Sequence, residues 1–247
     1  MANLVFDIGN TYTKIAVFEG DELVFTDKYQ TPDNNTIHNL LNSYTVNKAI
    51  ISSVKKDRQA WETILKEKTR LVYFNAEMTT GISNHYLTPT TLGPDRLAAV
   101  IGAANLCPGK GSLVIDAGTC ITYDFVDEKA NYFGGSISPG LNMRYKALNN
   151  YTAGLPLIEQ DDAFDTTYGN NTQNAMHSGV QNGIKYELIG FIESYNKEEN
   201  NINIILTGGD SIFFDTLLKN SIFAPYIKNE PHLVLKGLNA AIQKHND

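Results

Sequence analysis

Cysteine is scarce in this chain of 247 residues, which contains only Cys107 and Cys120. Two cysteines allow neither a disulfide framework nor a cysteine-based metal site, and they favour a reducing, cytoplasmic setting. The five histidines show no HxH or HxxxH spacing, so the sequence predicts no histidine metal site either.

Long apolar runs and basic blocks are also missing. No stretch has the length of a membrane span, and the N-terminal MANLVFDIGN lacks the basic region of a signal peptide. The net charge of −7 disfavours sequence-independent contact with nucleic acid. We therefore expect a cytoplasmic protein with neither membrane nor nucleic acid as partner, and 247 residues suffice for one large domain or two smaller ones.

The segment Leu4 to Phe18 has a strand–turn–strand pattern. An apolar run ends on Asp7, a polar turn with Gly9, Asn10 and Thr11 follows, and a second apolar run begins after Lys14. Backbone N–H groups beside glycine and the side chains of Asn and Thr can hold a phosphate, and an aspartate suits the hydrated metal that accompanies nucleotide phosphates. An ordinary β-hairpin is the competing interpretation of this turn taken alone.

The same element recurs at Leu113 to Phe125, where the strand ends on Asp116 and the turn contains Gly118 and Thr119. Both copies continue through a charged turn into a third strand, and the first continues as β-β-β-α-β-α-β. An internal repeat of this kind predicts two domains built from one unit, each a mixed sheet flanked by helices. Two such turns, one per domain, would form the walls of a nucleotide cleft.

The boundary between the repeats is predicted at Pro108 to Gly111, which gives domains 1–109 and 110–247. The final helix, from Leu233 to His245, is amphipathic, and the first domain offers one place to bury its apolar face.

Three further segments each allow a local and a functional interpretation. Asp95, in Gly93-Pro94-Asp95-Arg96, is either a helix N-terminal acid or a catalytic group. Thr172 is placed as the N-cap of a long helix that starts at Asn174 and ends near Tyr195. The pair Gly208-Gly209 permits either a tight strand-to-helix turn or the close approach of a flat ring such as adenine.

These elements, with Ser52-Ser53-Val54 and the glycine-rich Gly134 to Gly140 between them, stand in an order that resembles the type III pantothenate kinases. That family belongs to the acetate and sugar kinase, Hsp70 and actin superfamily. The resemblance covers essentially the whole chain. It implies an α/β fold of two duplicated actin-like (ribonuclease H-like) domains with a nucleotide cleft between them. The implied reaction is ATP-dependent phosphorylation of pantothenate to 4'-phosphopantothenate, the first step of coenzyme A biosynthesis.

The resemblance also implies roles for individual residues. Asp95 is expected to be the general base, and Asp116 the ligand of a monovalent cation, K⁺ or NH₄⁺. Asp7 is expected near Mg²⁺, directly or through water. The expected ATP-binding residues are Asp7, Ile8, Gly9, Asn10, Thr11, Tyr12, Thr13, Lys14, Thr119, Gly208 and Gly209. The expected pantothenate-binding residues are Tyr86, Gly93, Pro94, Asp95, Arg96 and Thr172.

Two alternatives stay open from the sequence. One is a kinase of the same superfamily that acts on another small substrate, against which Tyr86 and Gly93 to Arg96 argue. The other is a non-catalytic regulatory protein of the same fold, against which the intact set of acids argues. A homodimer is expected from the resemblance alone.

Overall fold

The structure is a computed structural model that describes residues 1–55, 57–78, 80–199 and 202–245. The chain divides into two compact units. Unit 1 comprises Met1–Pro108, Ala130–Phe133 and His232–Asp247, and unit 2 comprises Gly109–Lys129 and Gly134–Pro231. In the described residues no helix combines the length and the apolar character needed to cross a membrane.

Strands and helices alternate along both units. The strands are β1 (Ala2–Ile8), β2 (Thr13–Glu19), β3 (Glu22–Tyr29), β4 (Val46–Ser53), β5 (Arg70–Tyr73), β6 (Ser83–Asn84), β7 (Ser112–Ala117), β8 (Cys120–Val126), β9 (Asn131–Pro139), β10 (Asn203–Thr207) and β11 (Ile227–Asn229). The helices are α1 (Asn34–Ser43), α2 (Glu62–Lys68), α3 (Pro94–Leu106), α4 (Leu141–Asn150), α5 (Thr172–His177), α6 (Gly183–Glu199), α7 (Ser211–Leu218) and α8 (Leu233–Lys244).

The sheet of unit 1 has the strand order β3-β2-β1-β4-β5. β1 to β3 form an antiparallel meander, and β4 and β5 add parallel to β1. Leu4, Phe6 and Ile8 alternate along β1 and pack with α1 and α2 in one apolar cluster. The other face of β1 and β4 is covered by α8, to which Asn3 donates a hydrogen bond at the side chain of Asn239.

The sheet of unit 2 repeats this topology. Its strands follow the order β11-β10-β7-β8-β9, with the short β6 as a sixth strand beside β9; β7 and β8 are antiparallel, and β10 and β11 add parallel to β7. Each position of the first sheet thus has a counterpart in the second, with β7 in the place of β1. The predicted duplication of one α/β unit is confirmed. The first residues of β9 group with unit 1, where Asn131 pairs with Ser83 of β6.

The two units differ from the predicted ranges 1–109 and 110–247 mainly at the C-terminus. Residues 232–247 group with unit 1 because α8 packs along α3. Glycine permits this contact, since a Cβ at Gly237 would overlap the carbonyl oxygen of Ala98, and one at Gly102 would crowd Leu233. The apolar face of the final helix is therefore buried on the first unit.

The long helix predicted from Asn174 to Tyr195 begins earlier and is interrupted. α5 ends at His177, a π-helical turn spans Ser178–Asn182, and α6 continues from Gly183. The predicted N-cap, Thr172, is wrong: Asn171 caps the helix, and its side chain accepts a hydrogen bond of 2.9 Å from the backbone of Asn174. Thr172 is instead the first helical residue, because an asparagine one position earlier already supplies the capping oxygen.

Candidate functional site

The first polar turn, residues 9–12, connects β1 to β2 at the carboxyl end of β1. It is closed by a hydrogen bond from the Gly9 amide to the Tyr12 carbonyl, 3.0 Å long. Asn10, Thr11 and Tyr12 are exposed, whereas Thr13 is buried at the start of β2. The turn thus presents amides and short polar side chains to solvent from a rigid pair of strands, which is the arrangement that phosphate binding needs.

Asp7 is the last polar residue of β1 and pairs in register with Lys14 on β2. Although it keeps some accessible surface, the surrounding protein raises its pKa from 3.8 to about 6. Burial is the largest cause, Lys14 opposes the shift, and the negative charge of Asp95 adds to it. Asp7, Lys14 and Asp95 therefore interact electrostatically within unit 1, in a place where an added cation would be favoured.

Asp95 lies at the second position of α3, after Gly93 at the N-cap and Pro94 at the first position. Its Oδ1 accepts the Arg96 backbone N–H at 2.9 Å. A Cβ at residue 93 would come within 2.5 Å of that same oxygen, so glycine is required for Asp95 to fold back over the helix start. The Gly-Pro-Asp sequence thus fixes a partly accessible carboxylate at the N-terminus of a rigid, buried helix.

Arg96 and Tyr86 come together beside this helix start. The Arg96 guanidinium lies 5.7 Å from the ring centroid of Tyr86, in a cation–π contact. The Tyr86 ring in turn stacks on Tyr132, with centroids 6.3 Å apart and planes 7° from parallel. Arg96 and Tyr86, both expected to bind substrate, are therefore neighbours in unit 1, and Tyr132 packs against the Tyr86 ring.

The turn of unit 2 between β7 and β8, residues 118–119, is enclosed by glycines. A Cβ at Gly140 would overlap the carbonyl oxygens of Gly118 and Thr119, and one at Gly208 would overlap Asp116 Oδ1 and the Ala117 carbonyl. Gly208 has a positive φ of 92°, a backbone conformation that side chains disfavour. Asp116 Oδ1 and the Ala117 carbonyl thus lie together beside Gly208, and oxygen donors of this kind fit a monovalent cation.

Gly208 and Gly209, the residues expected to bind adenosine, lie next to this turn. Gly208 and Gly209 follow β10, and the next amide, that of Asp210, donates a hydrogen bond of 2.9 Å to the Ala117 carbonyl. Gly209 is exposed with nothing within 4 Å of an added Cβ. Asp116, Thr119, Gly208 and Gly209 are therefore brought together in unit 2. Thr172 is exposed at the first turn of α5, and its place in a site stays a prediction.

An ion-pair network behind the second turn had no signal in the sequence. Arg144 on α4 donates from Nε to the Pro139 carbonyl and from Nη2 to Ser138 Oγ, and it pairs with Glu187 on α6. Glu187 also accepts the Tyr123 hydroxyl at 2.8 Å; burial and this bond raise the pKa of Tyr123. The network fixes the β9–α4 loop that carries Gly140. The two pairs that involve Glu187, with Arg144 and with Tyr123, join residues 43 and 64 apart in sequence, so only the fold brings them together.

The described residues contain no group of three or more His, Cys, Asp or Glu side chains that could cage a metal ion. Near Asp7 there is, however, a buried hydroxyl, that of Ser52, which has no hydrogen-bond partner among the described residues. A single carboxylate with a polar neighbour is what Mg²⁺ uses when it keeps most of its water and binds nucleotide phosphates. The residues present fit such an ion.

Comparison with solved structures defines the class of fold. A Campylobacter jejuni protein assigned as a Baf family transcriptional activator is 21% identical, with a TM-score of 0.61 and 98% of each chain covered. The Lmo2764 protein of Listeria monocytogenes, assigned as an N-acetylmannosamine kinase, is 15% identical, with a TM-score of 0.56 over 99% of this chain and 98% of the other. The fold is the predicted pair of duplicated actin-like domains.

Sequence comparison then gives the family. Residues 3–196 match the family model described as type III pantothenate kinase. A type III pantothenate kinase of Bacteroides fragilis is 40% identical over 248 residues, which cover 99% of this chain and 98% of the relative. The chain belongs to the type III pantothenate kinase family.

Proposed function

We propose that this protein transfers a phosphoryl group from ATP to the primary alcohol of pantothenate, the first step of coenzyme A biosynthesis. Family membership over nearly the whole chain supports this reaction. The observation that carries the proposal is the constellation of unit 1, in which Asp95 at the start of α3 interacts electrostatically with Asp7. ATP is the phosphoryl donor in this proposal, and Mg²⁺ and a monovalent cation, K⁺ or NH₄⁺, are the bound ions.

The turn from Asp7 to Lys14 holds the ATP phosphates in this proposal. Its exposed amides and hydroxyls bind phosphate oxygens, and Lys14 adds positive charge on the strand opposite Asp7. Mg²⁺, when bound beside Asp7, neutralises phosphate charge. Phosphoryl transfer needs mainly such positioning and charge compensation, so a rigid turn at the end of a buried strand is suited to it.

Asp95 accepts the proton of the attacking hydroxyl. The alcohol of pantothenate has a pKa far above neutrality, so a carboxylate that takes the proton while the new P–O bond forms lowers the barrier. One carboxylate oxygen of Asp95 already accepts the Arg96 amide, which orients the group. The helix supplies the rigidity that a general base requires.

Arg96 and Tyr86 form the pantothenate side of the site, with Gly93 and Pro94 lining the turn. A guanidinium can bind the pantothenate carboxylate in two-pronged fashion, and the Tyr86 ring restricts where that guanidinium lies. Thr172 is proposed as a further substrate contact. In unit 2, Asp116 holds the monovalent cation, Thr119 contacts ATP, and Gly208 and Gly209 accept the adenosine.

The protein is also proposed to be a cytoplasmic homodimer. Neither Cys107 nor Cys120 forms a disulfide, which supports a reducing compartment. β9 exposes Phe133 and Ile137, of which 67% and 63% are accessible, and two exposed apolar side chains four residues apart on one strand suit a second copy of the chain.

The deciding experiment is an ATP-dependent assay with pantothenate, Mg²⁺ and either K⁺ or Na⁺. We expect phosphorylation that requires K⁺ or NH₄⁺, and Asp116→Asn should remove the response to the cation. Absence of turnover with every cation would contradict the proposal. A panel of sugars and small acids in the same assay separates pantothenate from another substrate of the superfamily, and no phosphotransfer at all would favour a regulatory protein.

A further inference from the structure

Ser52 lies near the carboxyl end of β4, and only 1% of its surface is accessible. Its Oγ has no hydrogen-bond partner among the described residues. A buried hydroxyl without a partner is unfavourable, because water would otherwise satisfy it. The neighbouring Ser53 differs, since its Oγ donates to the Lys55 carbonyl and accepts the Lys55 amide, both at 3.0 Å.

The register of the sheet puts Ser52 beside Asp7. The two residues are partners in the parallel pairing of β1 with β4, and partners in adjacent strands share a face. Phe6 and Ile8 of β1 and Ile51 of β4 point into the core cluster of unit 1. Asp7 and Ser52 alternate with them and therefore lie on the opposite face.

That opposite face is the one that α8 covers, and the other polar side chains on it find protein partners. Asn3 on β1 donates to Asn239 at 2.9 Å, and Lys48 on β4 donates to the Ile242 carbonyl at 3.5 Å. Asp7 interacts electrostatically with Asp95 and Lys14. The Ser52 hydroxyl is thus unpaired at the point where the candidate phosphoryl-transfer residues meet.

We propose that Ser52 is a positioning residue whose hydroxyl hydrogen-bonds the water shell of the divalent cation that accompanies ATP beside Asp7. This inference rests on the proposed phosphotransfer function. Mg²⁺ gives up water reluctantly and is held by few protein ligands, so groups that bind its water decide where it lies. A hydroxyl suits this role because it accepts a hydrogen bond from a metal-bound water and donates one of its own.

The test compares Ser52→Ala with Ser53→Ala as the matched control on the same strand. The readout is Mn²⁺ binding in the presence of ADP, followed by electron paramagnetic resonance of free Mn²⁺ and by water-proton relaxation. We expect Ser52→Ala to weaken Mn²⁺ binding roughly 10-fold, the lower end for loss of an outer-shell partner, and Ser53→Ala to leave it unchanged. Wild-type Mn²⁺ affinity in Ser52→Ala would overturn the proposal.

Thermal unfolding without metal or nucleotide provides a second readout. Removing a hydroxyl that has no protein partner should leave the melting temperature of Ser52→Ala unchanged or higher. A clear drop would show that the hydroxyl stabilises the fold and would overturn the assignment.

The outcome is separable from that of the pantothenate assay. Suppose that the wild-type protein phosphorylates another acceptor and that Ser52→Ala loses Mn²⁺ affinity. This result would support the positioning role of Ser52 and refute pantothenate as the substrate. Normal pantothenate turnover by the wild-type protein with wild-type Mn²⁺ affinity in Ser52→Ala would refute the role of Ser52 alone.

Discussion

Asp95 has two properties: it lies in the first turn of α3, and its negative charge acts on a second acid, Asp7. Its Oδ1 accepts the amide of the next residue, Arg96, and a negative charge in the first turn of a helix is by itself an ordinary stabilising feature. Its charge also contributes to the raised pKa of Asp7. Two carboxylates close enough to influence each other are costly to maintain, and cation binding at the same place would offset that cost.

The first prediction concerns Asp95→Asn. Loss of the general base should lower kcat by roughly 10²–10⁴-fold while nucleotide binding survives, because the amide keeps the shape but cannot take the proton. Steady-state kinetics together with ATP titration by calorimetry measure both quantities. The control is Asp215→Asn at an exposed position of α7. Near-normal turnover would show that Asp95 is only an acid in the first turn of the helix and not the general base.

The second prediction concerns Asp7→Asn in the protein without ligands. Burial raises the pKa of Asp7 to about 6, so the folded state holds a proton that the unfolded chain releases from about pH 3.8 upwards. Ionised Asp7 therefore lowers the free energy of unfolding as the pH rises from about 4 to 6, by at most about 3 kcal/mol. Asparagine carries no charge at any pH, so the Asp7→Asn variant does not lose this free energy of unfolding.

The variant should be more stable than the wild-type protein at pH 8, and the difference should shrink as the pH falls towards 4. Urea denaturation at a series of pH values measures it. Asp21→Asn, at an exposed turn, is the matched control. A difference that stays constant with pH would show that Asp7 titrates in its ordinary range.

Two elements of the fold are set by close backbone contacts. α3, which carries Asp95, lies against α8 through glycines, and this contact holds the helix whose first turn forms the site.

In unit 2 the π-helical turn holds the preceding loop: Ser178 and Asn182 donate to the Thr167 carbonyl, and Gln181 exchanges two hydrogen bonds with the Asp161 backbone. The extra residue of a π turn redirects side chains that a regular helix would spread over other faces.

The third prediction belongs to the contact between α3 and α8. Gly237→Ala places a Cβ against the Ala98 carbonyl and should destabilise the protein by about 1–3 kcal/mol, because the two helices must separate. Gly190→Ala on α6, where nothing lies within 4 Å of an added Cβ, should stabilise it by about 0.5–1 kcal/mol. Chemical denaturation measures both. Equal effects of the two substitutions would contradict the packing described.

For the whole molecule, the proposed dimer surface is the part of β9 that exposes Phe133 and Ile137. The fourth prediction is that Ile137→Asp shifts the protein from dimer to monomer, because a charge at the centre of an apolar contact is desolvated without a partner. Sedimentation velocity measures the change. Ile212→Asp on α7, where the side chain is 76% exposed against 63% for Ile137, should leave the dimer intact. A monomeric wild-type protein, or a dimer that survives Ile137→Asp, would refute the proposal that β9 forms the dimer interface.

The local sequence specifies the repeated unit, since Asp7-Ile8-Gly9 and Asp116-Ala117-Gly118 follow apolar runs whose pattern is that of strands. It also marked the start of α3, because glycine, proline and an acid have defined preferences there. Such local signals depend only on neighbours in the chain, which is why they can be read directly. The N-cap at Thr172 was misplaced because Asn171 competes for the same role one residue earlier.

The packing of separate elements determines which distant residues lie next to each other. The pairing of Ser52 with Asp7, the contact of Arg96 with Tyr86 and the Arg144–Glu187 pair each join separate elements. The placement of α8 on unit 1 likewise depends on glycines 135 residues apart, at positions 102 and 237. Packing, unlike strand period or capping, is set by shape complementarity between elements, and no single stretch of sequence contains it.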